Sequence, residues 1–201
     1  MSSRAARKPA RNPSIVYRLA WLTLGILFAG VMAAIIVANR TVPKIASEAP
    51  AFNPLAVGDS APQFSAATSK GPFSLASARR PVFLEVFATW CPHCQRETAV
   101  LNALYERFKS RVDFVAVSGS PFAHDRTSPE SLGDVEMFAQ YFGVRYPIAF
   151  DPSMAVANHY LQGGYPTIAI IGTNKRISFI STGEISLQKL TRELRRVLAA
   201  S

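Results

Sequence analysis

The chain has 201 residues, two cysteines, three histidines and a formal net charge of +9. Seven of its 22 lysines and arginines lie in the first 44 residues, where there is no acidic residue, and the other 15 face all 13 acidic residues. The positive charge therefore belongs to the amino-terminal segment and gives no support for nucleic-acid binding. The remaining length suits a single domain with one core.

An uncharged, mostly apolar run, residues 19–39, lies between Arg18 and Arg40. It has about the ~20 residues that a helix needs to cross a bilayer. Five basic residues precede it and two follow it, so we expect residues 1–18 to be a cytoplasmic tail and residues 19–39 a single-pass anchor, with the rest outside the cytoplasm. The alternatives are a cleaved signal peptide, whose apolar region is usually about 7–15 residues, and a buried core helix.

The segment after this run carries three prolines and no clear period, which predicts an extended tether over residues 40–57 before a domain over residues 58–201. Apolar patterns in that domain predict five strands and four helices in the order β-α-β-α-β-α-β-β-α. Helices between strands predict parallel pairs, and the last two strands predict an antiparallel hairpin whose turn uses Gly172 and Asn174 at positive φ. The fold class is therefore α/β with a central mixed sheet. The predicted strands are 81–87, 112–118, 147–150, 167–171 and 176–181, and the helices 94–109, 135–142, 154–161 and 187–198.

Both cysteines lie in one motif, Trp90-Cys91-Pro92-His93-Cys94, directly after the first of these strands. A cysteine at the start of a helix faces unpaired N–H groups, which stabilise its thiolate. We therefore expect Cys91 to be an exposed attacking thiolate and Cys94, one turn deeper, to be the buried resolving thiol. A protonated or donating His93 would favour the Cys91 thiolate, and an exposed loop histidine is the alternative. This interpretation needs no cofactor beyond the Cys91–Cys94 disulfide, whereas metal binding and an inert bridge are the other possibilities.

Three motifs in this order resemble the thioredoxin superfamily, and within it the membrane-tethered, exported TlpA/ResA type of the redoxin branch. They are Gly58-Asp59-Ser60-Ala61-Pro62-Gln63-Phe64, the strand leading into W-C-x-x-C, and Gly164-Tyr165-Pro166-Thr167. The resemblance implies a three-layer thioredoxin-like fold and a thiol:disulfide oxidoreductase, anchored in the bacterial inner membrane with its domain in the periplasm. The Pro-His dipeptide also occurs in DsbA-type oxidants, whereas TlpA/ResA proteins mostly act as reductants. The direction of electron flow therefore stays open, and a stabilised thiolate favours an oxidising or isomerising potential.

The resemblance also implies roles for single residues. Pro166 matches the family's cis-proline and Tyr165 would face the substrate, with an ordinary trans turn proline as the alternative. Glu85 matches the buried acid beneath the cysteine pair, and Glu97 matches the glutamate three residues beyond the motif. Either could accept the proton of Cys94. A solvated first-turn acid is the alternative for Glu97. Trp90 would cover the sulfur pair.

Clients would be exported proteins with cysteine pairs. A membrane partner would reset the pair, a DsbB-type oxidase for an oxidant or a DsbD or CcdA-type electron conduit for a reductant. Peroxiredoxin activity, prompted by residues 58–64, would need Pro at position 84 and Thr or Ser at position 88, where the chain has Leu84 and Ala88. Copper or zinc delivery through Cys91, Cys94 and His93 is the alternative from a different functional class.

Overall fold

The structure, a computed structural model, describes residues 13–41 and 54–200, with side chains of residues 17–35 in the first range. The start of the basic tail and most of the tether over residues 40–57 lie outside the described residues. The chain divides into two units, residues 1–52 and 53–201.

The described residues of the first unit form the helix α1, Pro13–Thr41, which is longer at both ends than the expected 19–39. Its stretch Tyr17–Ile35 has a mean hydropathy of 1.9, and every described side chain along it is exposed. The alternative of a buried core helix is therefore wrong. By length and composition the helix could cross a membrane, a property that it shares with signal sequences.

The second unit has seven strands and four helices, and it confirms all nine elements expected from the sequence to within a few residues. Helix α3, Leu132–Tyr141, begins at a capping box, in which the side chains of Ser131 and Asp134 each accept the other's backbone N–H, as the polar residues before an apolar run favour. The elements are β1 Ser65–Thr68, β2 Gly71–Ser74, β3 Val82–Phe87, α2 Pro92–Phe108, β4 Asp113–Ser118, α3 Leu132–Tyr141, β5 Ile148–Phe150, α4 Ala155–Tyr160, β6 Thr167–Ile171, β7 Ile177–Thr182 and α5 Leu187–Ala199.

The strands form one mixed sheet in the order β2-β1-β5-β4-β3-β6-β7. The helical connections through α2 and α3 give the expected parallel pairs, β3 with β4 and β4 with β5. The expectation fails for the connection through α4, because β6 crosses to the far side of β3 and runs antiparallel to it. This placement brings the loop before β6 to the end of β3, where the cysteine motif begins.

Alternate residues of the strands face two separate cores, which makes the fold three layers deep. Phe83, Glu85 and Phe87 of β3 face the side covered by α2, α3 and α5, whereas Leu84 and Val86 face the side covered by α4. The strand is buried on both faces, which is why its sequence reads as a continuous apolar run. A charged residue in such a strand has no route to solvent.

The hairpin β1–β2 was not part of the predicted order of elements, because its strands have only four residues each and most of these are small or polar. The β6–β7 turn was expected, but Lys175, with φ of 60°, takes the left-handed conformation rather than Gly172 or Asn174. Leu55 packs against the core on the α4 side, so the folded unit includes residues before Gly58.

Gly119 directly follows β4, at a point where no side chain fits. A Cβ there would lie 2.5 Å from the Ala157 Cβ and 2.7 Å from the Val86 Cγ1. We expect Gly119→Ala to lower the free energy of unfolding by about 1–3 kcal/mol, the usual cost of overpacking, in urea unfolding followed by Trp90 fluorescence. Gly133→Ala, whose Cβ meets nothing closer than 3.7 Å, is the matched control and should be neutral or slightly stabilising. Equal effects of the two substitutions would contradict the packing argument.

Candidate active site

The cysteine motif lies at the junction between the end of β3 and the start of α2. Cys91 is the N-cap of α2, with extended backbone (φ −80°, ψ 116°), and Pro92 occupies the first turn, where its missing N–H costs nothing. The Cys91 carbonyl accepts the Gln95 N–H at 3.1 Å, the first hydrogen bond of the helix. The Cys91 side chain therefore stands at the positive end of the α2 dipole, as the sequence predicts.

Both cysteines are free thiols, and both are buried. Cys94 is fully buried, as expected, but Cys91 is only 4% exposed, so the expectation of an exposed attacking sulfur is wrong. The physical reason is the loop before β6: the Cys91 thiol donates a hydrogen bond to the Tyr165 carbonyl, with an Sγ to O distance of 3.6 Å. Burial and the nearby Glu85 charge raise the pKa of Cys94 well above its usual range.

The loop over the sulfur contains the cis peptide bond Tyr165-Pro166, which matches the expectation from the sequence and excludes the trans alternative. The Tyr165 hydroxyl donates to the Gly119 carbonyl, and its ring meets the Trp90 ring edge-on at a centroid distance of 5.7 Å. Burial raises the pKa of Tyr165 to about 12, so the hydroxyl stays neutral. Tyr165 thus presents its carbonyl to the reactive sulfur while its hydroxyl fixes the loop to the end of β4.

Glu85 lies in the middle of β3, beneath Cys94, and is buried. Burial, reinforced by the charge of Glu97, raises the pKa of Glu85 to about 8, and a hydrogen bond with the Tyr146 hydroxyl opposes this rise. A carboxyl group with this pKa can take or give a proton near neutral pH. Tyr146 is itself buried and also forms a hydrogen bond with Thr98 on α2. The Tyr146 hydroxyl therefore connects Glu85 on β3 with α2.

Glu97 is buried as well, with 1% of its surface exposed, so the alternative of a solvated first-turn acid is wrong. Its carboxylate accepts the Ile185 N–H at 3.2 Å to each oxygen, and burial raises its pKa to about 7. The charge of Glu85 raises the pKa of Cys94, and no comparable influence of Glu97 is resolved. Of the two acids expected at the site, Glu85 is therefore the better placed to exchange a proton with Cys94.

His93 lies on the solvent side of the motif, in the first turn of α2 rather than in a loop. Its Nδ1 lies 2.6 Å from the Glu184 Oε1, and the Arg96 Nε donates to the same oxygen at 3.0 Å. The hydrogen bonds that Arg96 and His93 make to its carboxylate hold the pKa of Glu184 below its usual range.

Trp90 is half buried beside the sulfurs, as expected for a residue that covers them. Its indole N–H donates to the Ser120 hydroxyl at 2.8 Å, and the Arg126 guanidinium lies 4.9 Å from the ring centroid. The Thr89 hydroxyl next to it donates to the buried Glu130 at 2.8 Å, whose pKa burial raises.

Sequence reasoning missed Tyr146, Glu130 and Glu184. Each lies in a turn or short connection with no apolar period, and each contacts a residue in or near the motif that is more than 35 residues away in the chain. The sequence held one signal, and it concerned Tyr146. A buried charged residue such as Glu85 needs a polar hydrogen-bond partner, and a tyrosine hydroxyl is a common partner of this kind. In the described part of the chain, no three His, Cys, Asp or Glu side chains come together in a way that could hold a metal ion.

The raised pKa of Glu85 makes stability depend on pH. Between pH 5 and pH 8 the unfolded chain, with a carboxyl pKa of 4.5, has lost a proton that folded Glu85 keeps, so the free energy of unfolding falls as pH rises. Glu85→Gln removes this contribution. We expect the variant to gain about 2–4 kcal/mol relative to the unsubstituted chain between pH 5 and pH 8, in urea unfolding followed by Trp90 fluorescence. A difference independent of pH would contradict the raised pKa.

Comparison with known proteins places this geometry among redox proteins. The model of the AhpC/TSA family matches residues 57–180, which contain the cysteine motif and the Tyr165 loop. The thiol-disulfide oxidoreductase ResA of Geobacillus kaustophilus is 34% identical over 147 residues, covering 71% of this chain and 79% of that protein.

Solved structures share the fold. A thioredoxin family thiol:disulfide interchange protein from Chlorobium tepidum has 29% identity and a TM-score of 0.55, covering 71% of this chain and 98% of that one. A second protein from that organism, described as a putative thiol:disulfide interchange protein DsbE, has a TM-score of 0.62 at 24% identity, covering 72% and 99%. At that identity the likeness shows the thioredoxin-like fold alone.

Proposed function

Because the chain belongs to the AhpC/TSA family and is a thiol-disulfide oxidoreductase of the ResA-like kind, we propose that it exchanges disulfides with exported client proteins through Cys91 and Cys94. The observation that supports this most directly is the asymmetry of the two sulfurs. Cys91 caps α2 next to the Tyr165 carbonyl, whereas Cys94 lies fully buried above Glu85.

The exchange begins when the Cys91 thiolate attacks one sulfur of a client disulfide. The client S–S bond breaks, a mixed disulfide forms between Cys91 and the client, and the other client sulfur leaves as a thiolate. Cys94 then attacks Cys91, which releases the second client thiolate and closes the Cys91–Cys94 disulfide. Two electrons pass to the client, and the reverse sequence oxidises it.

Glu85 is the base for the second step. Cys94 must lose its proton to attack, and burial opposes that loss. A carboxylate beneath the thiol can take the proton without passing it through solvent, and a pKa of about 8 allows Glu85 to return it when the cycle reverses. Glu97 lies beside Glu85 as a second buried acid.

Tyr165 and Pro166 form the client-binding edge of the site. The Tyr165 carbonyl already accepts a hydrogen bond from the Cys91 thiol, so it points at the reacting sulfur. A client backbone N–H donating to this carbonyl would hold the client disulfide in line with Cys91. Trp90, against the Tyr165 ring, would supply an apolar contact for the residues that flank the client cysteine.

We further propose that α1 anchors the protein in the bacterial inner membrane, with residues 58–201 in the periplasm. A DsbB-type oxidase or a DsbD or CcdA-type conduit would then reset the cysteine pair. The length and hydropathy of Tyr17–Ile35 and the basic residues before it support this orientation.

The exchange mechanism predicts a trapped intermediate. Cys94→Ser removes the sulfur that resolves the mixed disulfide, so clients should accumulate on Cys91 as adducts that run as larger species on non-reducing gels and collapse with dithiothreitol. The double variant Cys91→Ser, Cys94→Ser is the control and should carry none. Absence of Cys91-dependent adducts in cells would contradict the proposal.

The anchor is tested separately. We expect the full chain to stay with the membrane fraction after alkaline carbonate washing, and a chain lacking residues 1–41 but exported by a cleavable leader to appear in the soluble periplasmic fraction. Release of the full chain by carbonate, or a shortened mature protein, would favour a cleaved signal peptide instead.

A further inference from the structure

The end of the domain opposite the cysteine motif is rich in basic residues, and we call it the base. The first residue of β3, Val82, pairs there with the first residue of β4, Asp113, and with the last residue of β6, Ile171. The base therefore gathers the run before β3, the link from α2 to β4 and the β6–β7 turn, and the β1–β2 turn lies beside them. Eight cationic side chains lie in these segments: Lys70, Arg79, Arg80, Arg107, Lys109, Arg111, Lys175 and Arg176.

Nearby acids do not balance this positive charge. Whereas lysines and arginines barely outnumber acidic residues after residue 44, the base has eight cations against three carboxylates, those of Asp59, Glu106 and Asp113. Two of the three form ion pairs, Asp113 with Arg80 and Glu106 with Lys109. Within residues 54–200, three exposed cations of the base have no ion-pair partner: Arg79, Arg107 and Arg111.

Three of the cations line one hollow at the base. The hollow has a volume of about 340 Å³, and Lys70, Arg80 and Lys109 surround it together with the Tyr105 ring. The Lys70 Nζ lies 4.7 Å from the ring centroid and the Lys109 Nζ lies 5.7 Å from it. Among the described residues that line the hollow, Asp113 is the single acid. The hollow thus offers converging N–H donors to an anionic group such as a phosphate.

The chain enters the domain at the base. The Gly58 N–H donates to the Ile177 carbonyl at 2.8 Å, and the Arg176 guanidinium donates to the Gly58 carbonyl at 2.7 Å. Residues 42–53, which connect α1 to the domain, can span at most about 40 Å. With α1 anchored as proposed above, this short connection gives the base a high effective concentration of lipid headgroups, so that weak charge interactions are sufficient for binding.

We propose that the base is a membrane-docking surface that binds anionic lipid headgroups. This inference rests on the proposed anchoring by α1. Headgroup phosphates would occupy the hollow between Lys70, Arg80 and Lys109, and the unpaired arginines would face neighbouring headgroups. Each basic residue near an anionic surface strengthens binding about fivefold. Because β3 runs from the base to the cysteine motif, docking leaves Cys91 at the end of the domain that faces away from the bilayer, toward exported clients.

The test compares the full chain in vesicles of phosphatidylcholine alone and in vesicles that also contain anionic phosphatidylglycerol, at about one part in three. Trace acetylation by an uncharged succinimidyl ester, followed by peptide mass spectrometry, reports the accessibility of single lysines. We expect Lys70 and Lys109 to react about fivefold more slowly in the anionic vesicles, and high salt to abolish the difference. Lys189, exposed in the first turn of α5, is the internal control and should react equally in both.

A pair of double variants tests the surface itself. Arg79→Gln with Arg107→Gln removes two unpaired cations from the base, so Lys70 and Lys109 should react in the anionic vesicles nearly as fast as in phosphatidylcholine. Arg126→Gln with Lys189→Gln is the matched control, because it removes the same charge from residues outside the base and should leave the protection in place.

The outcomes separate the docking surface from the anchor. Equal rates in the two kinds of vesicle, or protection that both double variants lose alike, overturns the docking surface while the anchor stands. Protection that appears only when soluble periplasmic proteins are added also overturns it and assigns the base to an acidic protein partner. A full chain that does not float with the vesicles in a density gradient overturns both the anchor and the docking surface.

Discussion

Helix α2 packs on the face of the sheet that carries Glu85, and this packing buries a thiol and two carboxyl groups close together. Each of these groups is more stable there without a charge, and the charge of one opposes ionisation of the next. Negative charge is therefore disfavoured at Cys94, and of the two sulfurs the one at the helix cap, Cys91, is better placed to carry it. The chemical difference between the two cysteines follows from this constraint and not from the motif itself.

Much of this arrangement could be predicted from the sequence because its parts are local. The sequence shows an apolar strand followed by a helix that starts at a proline, and this order places Cys91 at the helix cap and Cys94 one turn deeper. A glutamate in a strand that is buried on both faces has to point into a core. The same local patterns fixed the α1 helix and the order of elements over residues 81–199. The β1–β2 hairpin was not predicted because Ser65, Ala66 and their neighbours show no alternation of large apolar and polar residues.

The rest depends on which strands are neighbours, and that has no local signal. Because β6 lies beside β3 rather than beside β5, the Tyr165 loop covers Cys91, and the expected exposure of that sulfur is lost. Glu184, which follows β7, reaches the site through the same pairing, whereas Tyr146 is brought there by the pairing of β5 with β4. Each is an ordinary polar residue in its own segment and acquires a role only when the sheet is assembled.

The hydrogen bond between the Cys91 thiol and the Tyr165 carbonyl has a further consequence for timing. While Cys91 holds its proton, the thiol occupies one of the two lone pairs of that carbonyl oxygen. Once the proton leaves, the carbonyl oxygen faces a negative sulfur with no donor between them, and an arriving backbone N–H is the group that relieves the repulsion. Loss of the proton that arms the nucleophile therefore also makes the Tyr165 carbonyl a stronger acceptor for a client backbone N–H.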